Sequence, residues 1–309
     1  MRCGAIALAL ALKSVTTMQN ILLSSTRLQV EISPCGAELQ SIRDSDGTGW
    51  LWHGDPAHWE RRAPVLFPVI GASPGGQISI GGKSYKMPVH GFAWTSVFHV
   101  QEVTPISCCM RLEATQKSRV FFPFSFQFNV SFTLDEADLQ VRAEVINLDD
   151  KAMPVCVGFH PAFPWPLPGC RADELHVCRL DQDVSPRVRR PDLNGLLLPD
   201  SDPSLFAGGV LPVDHAQFER RAIVLEHGAG STVHYGVPGK PGVEVATWGL
   251  PNLGIWSRPD APFLCIEPWQ GMPPFLGASA ALEQRPGVAT VQPGENHRVG
   301  MTLRFGVTL

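Results

Sequence analysis

The longest regular pattern in the chain has a period of two. Between 124 and 132, Phe124, Phe126, Phe128, Val130 and Phe132 fall on one side, and Ser125, Gln127, Asn129 and Ser131 on the other. Asp135-Glu-Ala-Asp138 supplies turn residues. Leu139, Val141, Ala143 and Val145 then alternate with Gln140, Arg142, Glu144 and Ile146. A helix repeats every 3.6 residues, so this pattern predicts a long antiparallel hairpin with one buried face. Shorter segments at 28–32, 37–43, 65–70, 78–80, 83–87, 174–180, 221–227, 242–249 and 297–308 also read as strands. They are punctuated by Pro34-Cys-Gly36, Asp44-Ser-Asp-Gly47 and Gly81-Gly82. No segment is patterned as an amphipathic helix longer than three turns, and neither an internal repeat nor a dividing linker appears. The pattern predicts an all-β chain, one large antiparallel β-sandwich over residues 18–309 with long connecting loops.

Composition narrows the class. The 309 residues are 44% hydrophobic and 17% charged, which a globular core requires. The 29 glycines and 28 prolines are spread along the chain and fit many turns between short strands. A net charge of −4 without a basic cluster argues against a nucleic-acid partner. Ala5 to Leu12 is an apolar octet behind a single Arg2, but Lys13 follows and no clean cleavage site appears. Residues 1–17 are therefore expected to be a tail or an upstream start, with Met18 immediately before the first good strand signal. No apolar run reaches the roughly 18–20 residues of a membrane span. The eight cysteines form no CxxC pair, and several sit in strand-like runs. They read as buried free thiols of a reducing, cytoplasmic setting, with a disulfide framework as the alternative.

Three short motifs carry candidate chemistry. Ala261-Pro-Phe-Leu-Cys-Ile-Glu-Pro-Trp-Gln-Gly271 holds an apolar strand that ends on Glu267 and Pro268. Proline cannot donate to a ladder, so Glu267 is expected where the strand leaves its sheet, beside Trp269. A carboxylate between an apolar strand and an indole is costly to ionise, which suits a general base. A strand-end glutamate paired with an arginine would look the same locally. Val89-His90-Gly91-Phe92 places a histidine before a tight turn. In Gly158-Phe159-His160-Pro161-Ala162-Phe163-Pro164-Trp165, His160 is held extended by the proline that follows it. Either histidine could equally be a hydrogen-bonded structural residue. No HExxH or HxH spacing signals a metal, no GxSxG elbow signals a serine hydrolase, and Gly71-Ala-Ser-Pro-Gly-Gly76 lacks the Lys-Ser/Thr of a phosphate loop.

Taken together and in this order, His-Gly-Phe, Phe-His-Pro-Ala-Phe and Cys-Ile-Glu-Pro-Trp resemble the aldose 1-epimerase (galactose mutarotase-like) superfamily, in its LacX-like bacterial branch. Gly36-Ala-Glu-Leu39, Trp52-x-Gly-Asp55, Trp59, the run from Arg62 to Gly71 and Leu253-Gly-Ile-Trp256 extend the resemblance from about Leu28 to the C-terminus. The resemblance implies a β-supersandwich and mutarotation of a free monosaccharide without metal or organic cofactor, in a monomer or homodimer. It assigns Glu267 as general base and His160 as general acid, with His90 and Arg62 contacting the sugar. Trp165 and Trp269 are expected to offer flat apolar faces to the ring, from their neighbourhood alone. Two positions depart from the family: Ala72 and Trp94 stand where relatives often carry arginine. Both changes remove positive charge, which argues against a phosphorylated sugar. A sugar-binding protein with little turnover and a hexose-6-phosphate 1-epimerase are the competing readings. A glycosidase fits less well, since no second carboxylate shares a comparable context.

Overall fold

A computed structural model describes residues 19–227 and 230–308. The expected tail at 1–17 lies outside them. The predicted hairpin forms as Phe126–Asp135 and Asp138–Asn147, with Ala143 opposite Val130. Phe126, Phe128, Phe132 and Leu134 are buried on one strand, and Leu139, Val141 and Val145 on its partner. The hairpin lies within a nine-stranded antiparallel sheet. From it the order runs in one direction through Ser107–Glu113 to His99–Val103. In the other it runs through Asn296–Thr308, Pro241–Trp248, Thr232–Gly236 and Val177–Leu180 to Val210–Pro212.

A smaller six-stranded antiparallel sheet packs on the apolar face of the large one. Its order is Ile223–Leu225, Asn252–Trp256, Phe263–Gln270, Val157–Phe159 and Val65–Leu66, and Ala162–Pro164 also pairs with Phe263–Gln270. Phe67 stacks on Phe128 with ring centroids 4.5 Å apart and ties the two sheets together. The apolar run at 65–70 is mostly not strand. Past Leu66 its polar groups turn to another partner, and the Phe67 carbonyl accepts from the amides of Phe92 and Ala93. No described helix reaches seven residues; the helical segments are short 3₁₀ turns. The chain is therefore all-β and antiparallel, a β-supersandwich. No helix among the described residues is long and apolar enough to cross a membrane. The seven cysteines of the described residues are free, and four of them are buried.

The strand Phe263–Gln270 does not stop at Glu267, as the proline suggested. All eight of its residues are buried, and Pro268 sits opposite Leu253 inside the ladder. Its neighbour on the other side explains the tolerance. That chain is broken at His160-Pro161, between Val157–Phe159 and Ala162–Pro164. The Ile266 amide donates to the Pro161 carbonyl. By alternation position 268 faces the same way, toward the break, where a missing N–H interrupts the ladder least.

Candidate active site

The central strand of the smaller sheet has two working faces. Leu264 and Ile266 join the main core, while Phe263, Cys265, Glu267 and Trp269 point to the opposite side. Into that side the break at 160–161 turns the His160 ring, while its neighbour Phe159 stays in the core. His160 Nε2 lies 3.1 Å from Glu267 Oε2, and the two residues are 6% and 2% exposed. The two motifs, far apart in the sequence, thus meet as a contacting pair.

His90 completes the group. Its backbone has φ 61°, a left-handed conformation that histidine adopts more readily than most side chains. It is held there by exchange with Gly71: the His90 amide donates to the Gly71 carbonyl, and His90 Nδ1 accepts from the Gly71 amide at 3.1 Å. Because Nδ1 accepts, the proton of the neutral ring sits on Nε2, which remains as a donor. The ring centroid is 5.4 Å from that of His160. Gly91 is required next to it, since a Cβ there would lie 2.0 Å from the Phe67 oxygen. Arg285, itself buried, donates to the carbonyls of Ile70 and Ala72 and so fixes the loop that carries Gly71.

These groups line a cavity of about 480 Å³, within the usual range for a small-molecule site. Its walls are mainly apolar and aromatic. Trp59 lies 5.0 Å from the His160 ring, and Trp256 meets it edge-on at 5.8 Å. Trp269 lines the cavity too, and its buried indole N–H has no partner within the protein. Two glycines make room for that indole. A Cβ at Gly158 would lie 2.7 Å from the ring and one at Gly254 2.5 Å. The Gly-Phe-His and Leu-Gly-Ile-Trp motifs therefore hold glycine for the same neighbour.

Dry surroundings set the charge of the pair. Burial pushes the Glu267 carboxyl well above the 4.5 of a free glutamate. Burial, and then the neighbouring His90, pushes His160 well below 6.5. His90 is pushed down to about 4 by burial and then by the charge of Arg285. Burial thus favours the neutral form of both groups, with the proton of the His160–Glu267 contact on the carboxyl rather than on the ring.

Not every expected residue reaches the cavity. Arg62 turns away: its guanidinium bonds Gln40 Oε1 at 2.9 Å and packs on Gly54. Arg61 is on the cavity wall instead, its guanidinium 4.5 Å above the Trp94 ring. The chain bends at Arg62 and Ala63, and Glu38 holds the bend. Glu38 accepts from the amides of Arg62 and Ala63 at 2.8 and 3.2 Å and lies 3.5 Å from the Arg61 guanidinium. Trp165 is also elsewhere, stacked on His215 with centroids 3.9 Å apart. Trp94, where relatives often carry arginine, lies on the cavity wall, and its indole donates to the Gly91 carbonyl at 2.9 Å, bracing the His90 turn. Sequence reasoning missed Arg61, Asn194 and Arg221. Asn194 comes from a loop without a recognisable pattern, and Arg221 lies just before the strand Ile223–Leu225, in a segment that reads as strand from 221. Trp59 and Trp256 were visible only as members of matching segments.

Comparison with known proteins agrees with this fold. A family profile described as aldose 1-epimerase matches residues 19–304. The chromosomal LacX protein of Lactococcus lactis subsp. lactis is 30% identical over 285 residues, covering 88% of this chain and 94% of that protein. A galactose mutarotase related enzyme from Lactobacillus acidophilus superposes with a TM-score of 0.85 at 28% identity, covering 94% of this chain and 98% of that one. A galactose mutarotase-like protein from Lactobacillus casei gives 0.85 and 28%, with coverage of 93% and 99%.

Proposed function

The chain belongs to the aldose 1-epimerase superfamily, in its LacX-like branch, and we propose that it interconverts the α and β anomers of a free aldohexose by acid–base opening and closure of the ring. The observation that carries this reading is the 3.1 Å contact between His160 Nε2 and Glu267 Oε2 at the wall of an aromatic cavity. Ring opening must take the proton from the anomeric O1–H and give one to the ring oxygen O5. The O1–H electron pair becomes the C1=O bond as C1–O5 breaks, and the C1–O5 pair receives the new proton. Glu267 as carboxylate takes the first proton, and His160 as imidazolium gives the second. After rotation about C1–C2 the same two groups reverse their roles.

Ring opening therefore leaves the pair with the number of protons it began with, which is one. That is the number that burial of both groups stabilises. The ion pair is the form that opens the ring, and the neutral pair is the form that closes it. Direct contact lets one proton pass between the two forms. Each transfer contributes about 10²–10⁴-fold. The neutral His90, protonated on Nε2, and the free indole N–H of Trp269 are donors for sugar hydroxyls.

Polarimetry on freshly dissolved α-glucose and α-galactose tests the proposal. Equilibration faster than in buffer supports it, and no acceleration across a panel of aldoses leaves a sugar-binding protein with little turnover. A second reading is favoured by two guanidiniums on the cavity wall, Arg61 and Arg221. They return positive charge that Ala72 and Trp94 remove, so the panel includes hexose 6-phosphates. Faster turnover of the phosphate, lost in Arg61→Ala and Arg221→Ala, would select that reading.

A further inference from the structure

Behind the acid–base pair lies a third group that the proposed reaction does not use. Cys265 precedes Glu267 by two residues on the same face of the strand and is fully buried. Its Sγ, an imidazole nitrogen of His160 and a carboxylate oxygen of Glu267 all lie within 4.8 Å of one another. Zinc bonds of about 2.0–2.3 Å place neighbouring donors roughly 3.3–3.8 Å apart, so small side-chain rotations close the set. One thiolate, one imidazole and one carboxylate suit a borderline-soft divalent ion. Three protein ligands leave the fourth tetrahedral position open.

We infer that Cys265, His160 and Glu267 form an inhibitory binding site for Zn²⁺. Binding converts the thiol to thiolate and the carboxyl to carboxylate and meets a neutral imidazole. It releases two protons, one from Cys265 and the one shared by the pair. The dication and two anions sum to zero, so the loaded site places no net charge in a dry wall. Occupied in this way, Glu267 and His160 are no longer free to serve O1 and O5. The inhibitory effect rests on the mutarotase reading, but the site itself does not.

The test uses the full chain, freed of metal with a chelator and then given one equivalent of Zn²⁺. X-ray absorption at the zinc edge should show one sulfur at about 2.3 Å with nitrogen and oxygen ligands at about 2.0–2.2 Å. No sulfur, or two or more, overturns the proposal. Zinc affinity measured by chelator competition should fall at least about 100-fold in Cys265→Ser and Cys265→Ala, because losing a ligand costs more than the roughly 10–100-fold of losing an outer partner. Unchanged affinity in a folded variant also overturns it. In the mutarotation assay Zn²⁺ should inhibit the wild type reversibly and spare Cys265→Ser, whose basal turnover is retained. Should the wild type show no mutarotation, the absorption spectrum and the affinities still decide the site. Should neither variant fold, the wild-type spectrum decides it alone.

Discussion

At the scale of single residues, the proposed chemistry rests on two groups whose surroundings favour their neutral forms. Because burial raises the Glu267 carboxyl and lowers the His160 ring, the one-proton pair is favoured over both the doubly protonated and the proton-free pair. The expected kcat profile is a wide plateau. It falls on the acid side as the pair takes a second proton and on the alkaline side as it loses its only one. A narrow bell centred near pH 5.5, between the two ordinary values, would contradict this. Glu267→Gln and His160→Asn should each lower kcat by about 10²–10⁴-fold with small changes in KM. The same shift gives a stability test. Glu267 has a folded-state pKa above its unfolded value, so its contribution is full below about pH 4.5 and is lost as pH rises through the raised pKa. His160 acts in the opposite sense: its contribution is full above 6.5 and is lost as pH falls toward its lowered value. Glutamine does not titrate. Denaturant unfolding should therefore show wild-type stability declining relative to Glu267→Gln between pH 5 and pH 8, by at most about 1.4 kcal/mol per pH unit. A difference that stays flat with pH would remove the buried carboxylic acid from the account.

At the scale of elements, a strand and its broken neighbour build the site. Trp269 lies against Gly158 and Gly254, so Gly254→Ala forces the indole to move. The expected cost is about 1–3 kcal/mol, with a rise in KM if the indole N–H reads a hydroxyl. Glu38 holds the segment that brings Arg61 to the cavity. Glu38→Ala leaves two amides unpaired and should cost about 1–3 kcal/mol each at most, while the plateau in kcat keeps its pH limits. Element by element, the sequence was readable where one periodicity decides the outcome. The hairpin of Phe126–Asp135 and Asp138–Asn147 is legible because a period of two admits no helix, and its buried set follows the phase of the alternation except at Asn129, which is buried on the polar face. Pro268 misled because its tolerance depends on a gap in another strand more than a hundred residues away, which no local rule reports. Arg62 is assigned to the sugar by the resemblance alone, and it is the contacts of Glu38 with this segment that leave Arg61 on the cavity wall instead. Trp165 was grouped with the site by adjacency, yet its ring turns to His215.

At the scale of the molecule, structure and chemistry occupy opposite faces of one sheet. Leu264 and Ile266 face the aromatic core around Phe67 and Phe128, and Glu267 and Trp269 face the cavity. The core can therefore weaken without retuning the pair. Phe128→Ala should cost about 3–5 kcal/mol in unfolding free energy and leave the pH limits of turnover unchanged in the fraction that remains folded. The site's three centres, His90, His160 and Glu267, were legible as motifs in order, and Gly91 and Pro161 mark the local geometry of the two histidines. The charge of the cavity was not, because Arg221 arrives from a loop and Arg61 is placed there by the contacts of its segment with the distant Glu38. The claim that joins these scales is that the His160–Glu267 pair moves protons at an anomeric centre. Magnetisation exchange between the α and β anomeric signals of an aldohexose at equilibrium measures that process directly. The account predicts exchange well above the buffer rate in the wild type and near the buffer rate in both Glu267→Gln and His160→Asn, with the folded state intact. Exchange in either variant at the wild-type rate would contradict it.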